Sequence, residues 1–387
     1  MTEPAPRPGR MAGLLLPLFS CPSTSSWGIG EFADVPAAAR WMVGAGLRLW
    51  QLLPLNEMAP GQSSPYSAIS AMALDPIFIS VSQVPEFQAG GGEGALDAES
   101  AGLLAHVRRS RRVEYRNVHD LKERTLRAAF GRFHDTEWTR DSARSEQFRD
   151  FCREQAWWLD DYSLYRALLH ASGGHAWREW PDAIRERRVE TVAQARREFE
   201  REQLYRQYLQ WIAHSQWSAA RIGARGMWIY GDFPFAVAAD SADVWAHQEL
   251  FAFDGTVGAP PDAFSAEGQN WQLPIYRWPM LAANGYDWLR QRARRAADLF
   301  DGFRVDHVVG LFRTWIFPFD ARRPHFTPAS PPEQAAQGEA VLRAIAACGA
   351  DIIAEDLGTI PPFVHHVLTA LGIPGYKVFR WERLFAR

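Results

Sequence analysis

Two short segments, 302–307 (GFRVDH) and 352–358 (IIAEDLG), each place a carboxylate at the end of an apolar, β-branched run. Such runs predict strands. Because side chains alternate along a strand, Arg304 shares a face with Asp306. A neighbouring guanidinium favours an ionised acid, which suits a nucleophile, whereas an apolar run that shields an acid from water favours the protonated form. The pattern therefore indicates a two-carboxylate site, with Asp306 as nucleophile and Glu355 as acid/base.

Another acid, Asp232, follows the same pattern. Asp232 comes after the apolar run 227–230 (MWIY), as Asp306 and Glu355 follow theirs. Polar residues at the carboxyl ends of successive barrel strands converge on one rim, so the three acids are expected to lie close together. The plain alternative is that these acids cap helices or pair with surface arginines, as most acidic residues do. The repeated context argues against that alternative.

Further segments extend this pattern to a family resemblance. They are, in order, 13–19, 26–32 (SWGIGEF), 50–55 (WQLLPL), 64–68 (SPYSA), 231–234 (GDFP), 258–265 (GAPPDAFS) and 268–271 (GQNW). With the two carboxylate segments, they closely resemble glycoside hydrolase family 77. These are the 4-alpha-glucanotransferases, also called amylomaltases or disproportionating enzymes, of the wider alpha-amylase clan. The resemblance spans roughly residues 13–381 and is weakest between about 90 and 225.

The resemblance implies a role for each matching residue. Asp306 would form the covalent glycosyl-enzyme, Glu355 would protonate the departing glucan and then deprotonate the acceptor, and Arg304 would hold Asp306. Five residues would contact substrate: Tyr66 by stacking on the sugar at the cleavage subsite, Asp232 by a hydrogen bond to a sugar hydroxyl, Asp262 and Trp271 on a loop over the acceptor side, and His307 beside the nucleophile. Tyr66 as an ordinary turn residue and Trp271 as a core residue stay open as alternatives, because single aromatics most often serve packing.

The fold class that follows is α/β, a (β/α)8 TIM barrel with an inserted helical subdomain. We expect a disordered tail over 1–10, a catalytic barrel over 11–90 and 226–387, and the helical insertion over 91–225. The insertion is rich in charge and has apolar positions at helical spacing, as at Trp157, Trp158, Tyr162 and Tyr165. Residues 250–275, rich in Gly and Pro, are expected to form an active-site loop.

The chain departs from the family pattern near residue 387. Members of the family use a third catalytic carboxylate, an Asp preceded by His on a later strand, and we find no match for it. After the expected sixth strand over 376–379 only a few residues follow. We therefore expect the last barrel strands to be absent from this sequence, which would be a truncated form of a longer chain. The resemblance implies an active 4-alpha-glucanotransferase for the longer chain, and the missing carboxylate leaves open whether the sequence as given is active.

Composition excludes several other classes of protein. A net charge of −3 gives no general attraction to nucleic acid or to anionic membranes. The chain has no G-x-G-x-x-G, P-loop or metal-binding motif, so we expect no cofactor and no metal. Its three cysteines are far apart and no apolar run could span a bilayer, which favours the cytoplasm.

The expected activity is retaining transfer of α-1,4-glucan segments from a maltooligosaccharide to the 4-hydroxyl of an acceptor glucan or glucose. An alpha-glucan hydrolase is the near rival, because water and sugar compete for the same intermediate. A non-catalytic glucan-binding remnant is the rival from another class of protein. The expected partners are α-1,4-glucans, with no nucleic acid and no membrane.

Overall fold

The computed structural model describes residues 9–59, 61–62, 64–261, 265–320 and 322–380. Its strands are β1 (Gly13–Leu15), β2 (Leu49–Gln51), β3 (Trp228–Phe233), β4 (Phe251–Ala259), β5 (Gln269–Tyr276), β6 (Gly302–Val305), β7 (Thr314–Pro318), β8 (His325–Thr327) and β9 (Asp351–Ala354). Its α-helices are α1 (Val35–Gly44), α2 (Pro85–Ala89), α3 (Ala98–Arg109), α4 (Tyr115–Thr136), α5 (Ala143–Ala171), α6 (Asp182–Arg185), α7 (Val189–Glu198), α8 (Glu200–Gly223), α9 (Ala242–Ala246), α10 (Trp278–Ala283), α11 (Asp287–Leu299), α12 (Val309–Phe312), α13 (Pro331–Ala346) and α14 (Pro362–Ala370).

The chain divides into two compact units. The first comprises Met1–Leu55, Leu74–Leu159 and Arg201–Tyr230, and the second comprises Asn56–Ala73, Asp160–Glu200 and Gly231–Arg387. The α/β class expected from the sequence is confirmed, with parallel strands and many helices. The division into tail, barrel and insertion at residues 10, 91 and 226 stays a prediction.

In the first unit, β1, β2 and the first half of β3 form a parallel ladder in that order. Gly13 pairs with Leu49, and a Cβ on Gly13 would lie 2.8 Å from the Leu49 carbonyl oxygen, so the close approach requires glycine. Strands thus form within or beside the family-like segments 13–19 and 50–55, but each is only three residues long. Pro17 and Pro54 lie just beyond them and have no amide to donate to the ladder.

The helices of the first unit pack through aromatic side chains. Phe133 of α4 lies with its ring centroid 5.0 Å from that of Tyr208 and 5.7 Å from that of Trp211, both on α8. Phe148 of α5 lies 5.4 Å from Phe133.

Of the apolar positions named from the sequence, Trp158, Tyr162 and Tyr165 are buried as predicted, whereas Trp157 is exposed. Within the described residues, no helix is both long enough and apolar enough to cross a membrane.

In the second unit, the end of β3 lies beside β6, and β6 pairs in parallel with β9. Phe233 of β3 stacks on Phe303 of β6, with 5.5 Å between the ring centroids. A Cβ on Gly231 would lie 2.3 Å from the Phe300 ring, so glycine is needed for this packing. A separate antiparallel sheet follows the order β5-β4-β7-β8.

The expected sixth strand over 376–379 does not form. Residues there make no strand, and only a parallel bridge joins Gly375 to Ala354. The physical reason is local, because the Tyr376 amide donates to Asp356 Oδ1 at 2.7 Å instead of to a neighbouring strand. Pro374, just before, has no amide to donate.

Candidate active site

The ends of three parallel strands bring the predicted acids together in the second unit. Asp232 lies within β3, Asp306 directly follows β6 and Glu355 directly follows β9. Backbone hydrogen bonds fix this alignment, since the Asp306 amide donates to the Phe233 carbonyl at 3.0 Å and the Glu355 amide to the Val305 carbonyl at 2.9 Å. The three carboxylates therefore meet at one edge, as the strand pattern predicts.

Arg304 lies at the centre of these acids. Its Nη1 donates to Asp232 Oδ1 at 2.9 Å and to Oδ2 at 3.0 Å, and its Nη2 lies 2.6 Å from Asp306 Oδ1. Burial alone would lower the pKa of the guanidinium, but the charges of Asp232 and Asp306 raise it above its usual range. The side chain is therefore a permanent cation that orients both acids.

The separation of Asp306 and Glu355 is bounded by their contacts with the same nitrogen. Arg304 Nη2 lies 2.6 Å from Asp306 Oδ1 and 3.7 Å from Glu355 Oε2, so these oxygens lie at most 2.6 plus 3.7, or 6.3 Å, apart. Two carboxyl groups are about 5–5.5 Å apart in retaining glycosidases and about 6.5–9.5 Å apart in inverting ones. The 6.3 Å limit on this one pair of oxygens is compatible with the retaining spacing.

Glu355 is held by two backbone amides. The amide of His307 donates to Oε2 at 2.9 Å, and the amide of Leu357 donates to Oε1 at 3.0 Å. Its side chain is only 13% exposed. Burial raises the pKa of Glu355 above its ordinary value, although the His307 amide and Arg304 act in the opposite direction. The direction predicted from the apolar run before Glu355 is confirmed.

Asp232 is more deeply enclosed than its predicted contact with a sugar hydroxyl suggests. Its side chain is 0% exposed, and its oxygens accept hydrogen bonds from Arg304 and from the Tyr66 hydroxyl, the latter at 2.7 Å. Burial raises the pKa of Asp232 to about 6, partly offset by Arg304. In this structure Asp232 holds Arg304 and Tyr66, and its predicted contact with sugar stays a prediction.

Tyr66 lies on a turn of the second unit, where the Ser67 amide donates to the Ser64 carbonyl. Burial, followed by the charge of Asp232, raises the pKa of the Tyr66 hydroxyl well above its usual range, so the group stays a donor. The side chain is half-buried, and its bond to Asp232 places it beside the acids. Stacking on a sugar ring stays a prediction.

Trp271 lies on β5, where the sequence predicts a loop over 250–275. Most of these residues instead form an antiparallel pair, in which Gly258 lies opposite Asn270. Two register shifts and a left-handed Gln272 interrupt the ladder, and such irregularities account for the loop-like composition. The Trp271 ring meets the His307 ring edge-on, at 4.7 Å between centroids. Asp262 lies outside the described residues.

Two neighbours of the site were not selected from the sequence. The ring of Tyr376 lies 5.8 Å from the guanidinium carbon of Arg304, and Asp356 accepts the hydrogen bond from the Tyr376 amide. Asp356 directly follows Glu355, which was a signal that could have drawn attention to it. Among the described residues, no group of three or more His, Cys, Asp or Glu side chains is arranged to hold a metal ion.

Comparison with known proteins gives consistent matches along the chain. The family model of glycoside hydrolase family 77, 4-alpha-glucanotransferase, matches residues 16–386. A 4-alpha-glucanotransferase of Chlamydia caviae is 32% identical over 374 residues, covering 96% of this chain and 68% of that protein. A 4-alpha-glucanotransferase of Thermus thermophilus is 34% identical over 383 residues, covering 96% of this chain and 72% of that protein.

Solved structures agree with the sequence matches. An amylomaltase from Streptococcus agalactiae, solved in complex with acarbose, superposes with a TM-score of 0.80 at 28% identity, covering 96% of this chain and 73% of that chain. This likeness agrees with the TIM-barrel class expected from the sequence. Because the family model matches residues 16–386, almost the whole of this chain, the chain belongs to the 4-alpha-glucanotransferase family, glycoside hydrolase family 77.

Proposed function

We propose that the chain performs its family's transfer of α-1,4-glucan segments by double displacement, with Asp306 as nucleophile and Glu355 as acid/base. The observation that carries this proposal is that Arg304 Nη2 contacts both acids, which brings Asp306 Oδ1 within 6.3 Å of Glu355 Oε2, a spacing compatible with a retaining pair. Donor and acceptor are α-1,4-glucans, and the amylomaltase relative solved with acarbose supports that substrate class.

In the first step, protonated Glu355 donates its proton to the glycosidic oxygen while Asp306 attacks C1 from the opposite face. The bond between C1 and that oxygen breaks, its electron pair leaves with the 4-hydroxyl of the departing glucan, and a glycosyl ester forms on Asp306. The raised pKa of buried Glu355 supports this step, because burial favours the protonated form of the acid, which can donate the proton.

In the second step, the Glu355 carboxylate takes the proton from the 4-hydroxyl of an acceptor glucan. The acceptor oxygen then attacks C1, and the ester bond to Asp306 breaks, which restores both acids. Two inversions at C1 retain the α configuration. Arg304 holds the Asp306 carboxylate before the first step and after the second, and Asp232 accepts hydrogen bonds from Arg304.

Two rival functions use the same geometry. In an α-glucan hydrolase, water would replace the acceptor hydroxyl in the second step. In a non-catalytic binding remnant, the aromatic and polar residues would bind glucan without turnover. The family membership supports transfer over both, since the relatives reported above carry the name 4-alpha-glucanotransferase.

The test is incubation of the protein with maltotriose and analysis of the product ladder. Transfer yields glucose together with chains longer than maltotriose, and Asp306→Asn should lower its rate by at least about 10⁴-fold, with Glu355→Gln lowering it by about 10²–10⁴-fold. Asp320→Asn and Glu339→Gln are matched controls, because both acids lie on the exposed surface, paired with arginines.

Three results would contradict the proposal. Release of reducing ends without longer products would favour hydrolysis. Glucan binding that survives Asp306→Asn, with no turnover in the unmodified protein, would favour the binding remnant. Unchanged transfer in Asp306→Asn would exclude this residue as nucleophile.

The cytoplasm is the compartment we propose for this activity. Cys21, Cys152 and Cys348 form no disulfide bond, and each is half-buried. Free thiols persist where the surroundings are reducing. Fractionation of the native cells, with the chain recovered among cytoplasmic proteins, would support the proposal, and recovery from a secreted fraction would contradict it.

A further inference from the structure

We propose that His307 is a positioning residue, whose backbone amide holds the acid/base Glu355 and whose ring is held in turn by Trp271 and Phe235. This proposal rests on the proposed function, because it assumes that Glu355 is the acid/base. It differs from the role that the family resemblance implies for His307, which is contact with the sugar.

The backbone of His307 has an unusual conformation. Its φ is +45°, in the left-handed region, which only a few per cent of non-glycine residues adopt, histidine more often than most. In this conformation its amide donates to Glu355 Oε2 at 2.9 Å, while the preceding amide of Asp306 donates to the Phe233 carbonyl. Surrounding contacts must hold a conformation of this kind in place.

The ring of His307 supplies those contacts. It meets Trp271 edge-on, with centroids 4.7 Å apart and planes at 86°, and meets Phe235 with centroids 5.8 Å apart at 82°. On a third side lies Gly310, where an added Cβ would come within 2.7 Å of His307 Cδ2. The ring is therefore enclosed on three sides by groups of the second unit.

The surroundings of the His307 ring favour a packing role over a role as a cation or as a proton donor. Burial, together with the charge of the nearby Arg304 guanidinium, lowers the pKa of His307 to about 4. The ring is thus neutral at pH 7. A neutral ring between two aromatic side chains can act through its shape alone, so another flat ring of similar size should replace it.

Loss of the His307 ring would affect Glu355, because the contacts that hold this acid include the His307 amide. Its two oxygens accept from the amides of His307 and Leu357, Arg304 lies 3.7 Å from Oε2, and the Asp306 charge faces it. Loss of the His307 ring would release one of the two amide bonds. The proton of Glu355 would then be misplaced relative to the glycosidic oxygen, while Asp306 would keep its contact with Arg304.

The test compares His307→Asn with His307→Phe on two donors. Asn tolerates a left-handed backbone but removes the ring, whereas Phe keeps a flat ring and removes both nitrogens. Maltotriose needs a proton on its leaving group. α-Maltotriosyl fluoride does not, because the C1–F bond breaks to give fluoride ion as Asp306 forms its bond to C1.

If the proposal is correct, His307→Asn lowers the rate on maltotriose by about 10- to 100-fold but leaves the burst of fluoride release within about 3-fold of the unmodified protein. His307→Phe stays within about 3-fold on both donors. Equal loss on both donors in both variants would overturn the proposal, since it would show that the imidazole binds the sugar. An unaffected His307→Asn would also overturn it.

A titration gives a second readout that does not depend on turnover. The amide of His307 donates to the charged form of Glu355 and so lowers the pKa of that carboxyl. Carbon-13 NMR should therefore show a higher pKa for Glu355 in His307→Asn and an unchanged one in His307→Phe. An unchanged value in both variants would contradict the proposal.

Two further variants complete the design. Trp271→Leu should reproduce the donor-dependent loss of His307→Asn, and the double variant should lose no more than either single one, because both act on the same ring. Asp306→Asn separates the two proposals. Fluoride release that persists in Asp306→Asn would overturn the proposed function, whatever the His307 variants show.

Discussion

At the scale of single residues, the site has one permanent cation among three carboxyl groups. Arg304 contacts Asp232, Asp306 and Glu355, and burial raises the pKa of both Asp232 and Glu355. The positive charge of Arg304 balances only one of these three neighbouring acids, which favours a proton on one of the others. A protonated Glu355 is what the first step of glucan transfer requires.

The raised pKa of Asp232 predicts a pH dependence of stability. Its folded pKa of about 6 exceeds the ordinary 3.8, so the folded state binds more protons than the unfolded state between these values, and stability falls as pH rises through that window, by about 3 kcal/mol. Asp232→Asn lacks this titration. The Tm of Asp232→Asn minus the Tm of the unmodified protein should therefore increase as the pH rises from 4 to 7.

Thermal unfolding at half-unit pH steps measures that difference. Asp320→Asn, an exposed acid paired with Arg322, is the control, and its relative Tm should not show the same rise across this window. A relative Tm of Asp232→Asn that falls steadily from pH 4 to pH 7 would contradict the raised pKa. Activity should also fall, because Arg304 and Tyr66 lose a charged acceptor.

The relative positions of site residues could be predicted from the sequence where they depend only on the alternation of side chains along one strand. The neighbouring positions of Arg304 and Asp306 follow directly from the period of two in β6. Contacts between strands were not predictable in the same way. That Arg304 bonds Asp232 and that the His307 amide bonds Glu355 depend on register and on one left-handed residue, for which the sequence carries no local signal.

At the scale of elements, the sequence predicts strands where apolar β-branched runs end in polar residues, and β3, β6 and β9 form there. Composition alone gave the wrong result in two places. The glycine and proline content of residues 250–275 suggested a loop, but β4 and β5 pair there. Glycine in this segment allows the two backbones to approach closely, which is compatible with a strand. An apolar run suggested a strand at 376–379, where Asp356 captures the Tyr376 amide.

The β4–β5 pair offers a test at this scale. A Cβ on Gly258 would lie 1.8 Å from the Gln269 carbonyl oxygen, a backbone atom that cannot move without breaking the pairing. Gly258→Ala should therefore displace Trp271, which is on β5, and lower the rate of maltotriose transfer by about 10-fold or more. Transfer kinetics together with a thermal melt measure both effects.

The matched control for this substitution is Gly131→Ala. Gly131 lies within α4, nothing lies within 4 Å of its added Cβ, and alanine is the better helix former, so this variant should gain up to about 1 kcal/mol in stability with no change in transfer. Normal transfer kinetics in Gly258→Ala would show that the strand pair does not fix the position of Trp271.

At the scale of the whole molecule, all described residues proposed for the site lie in the second unit, whereas the first unit contains a buried ion pair of its own. Lys122 of α4 is 1% exposed, and its Nζ lies 2.6 Å from Glu31 Oε1 and donates to the carbonyls of Ile77 and Ile79. All three protons of the ammonium thus have acceptors. No sequence pattern predicts such a pairing, because its partners come from separate segments.

This ion pair predicts that stability and catalysis can be changed independently. Lys122→Met removes one partner and leaves Glu31 buried without its cation, which should lower the free energy of unfolding by about 3–5 kcal/mol. The double variant Lys122→Met with Glu31→Gln should recover part of that loss, since neutral Gln can still accept from the Trp27 amide as Glu31 does.

Chemical denaturation of the two variants and the unmodified protein gives these free energies, and transfer kinetics at a temperature where each is folded give the catalytic effect. We expect transfer rates within about 2-fold of the unmodified protein, because no described atom of the proposed site belongs to the first unit. A single variant as stable as the unmodified protein would show that the pair contributes nothing net. A large loss of transfer in a folded variant would show that the first unit shapes the site as well as supporting its own fold.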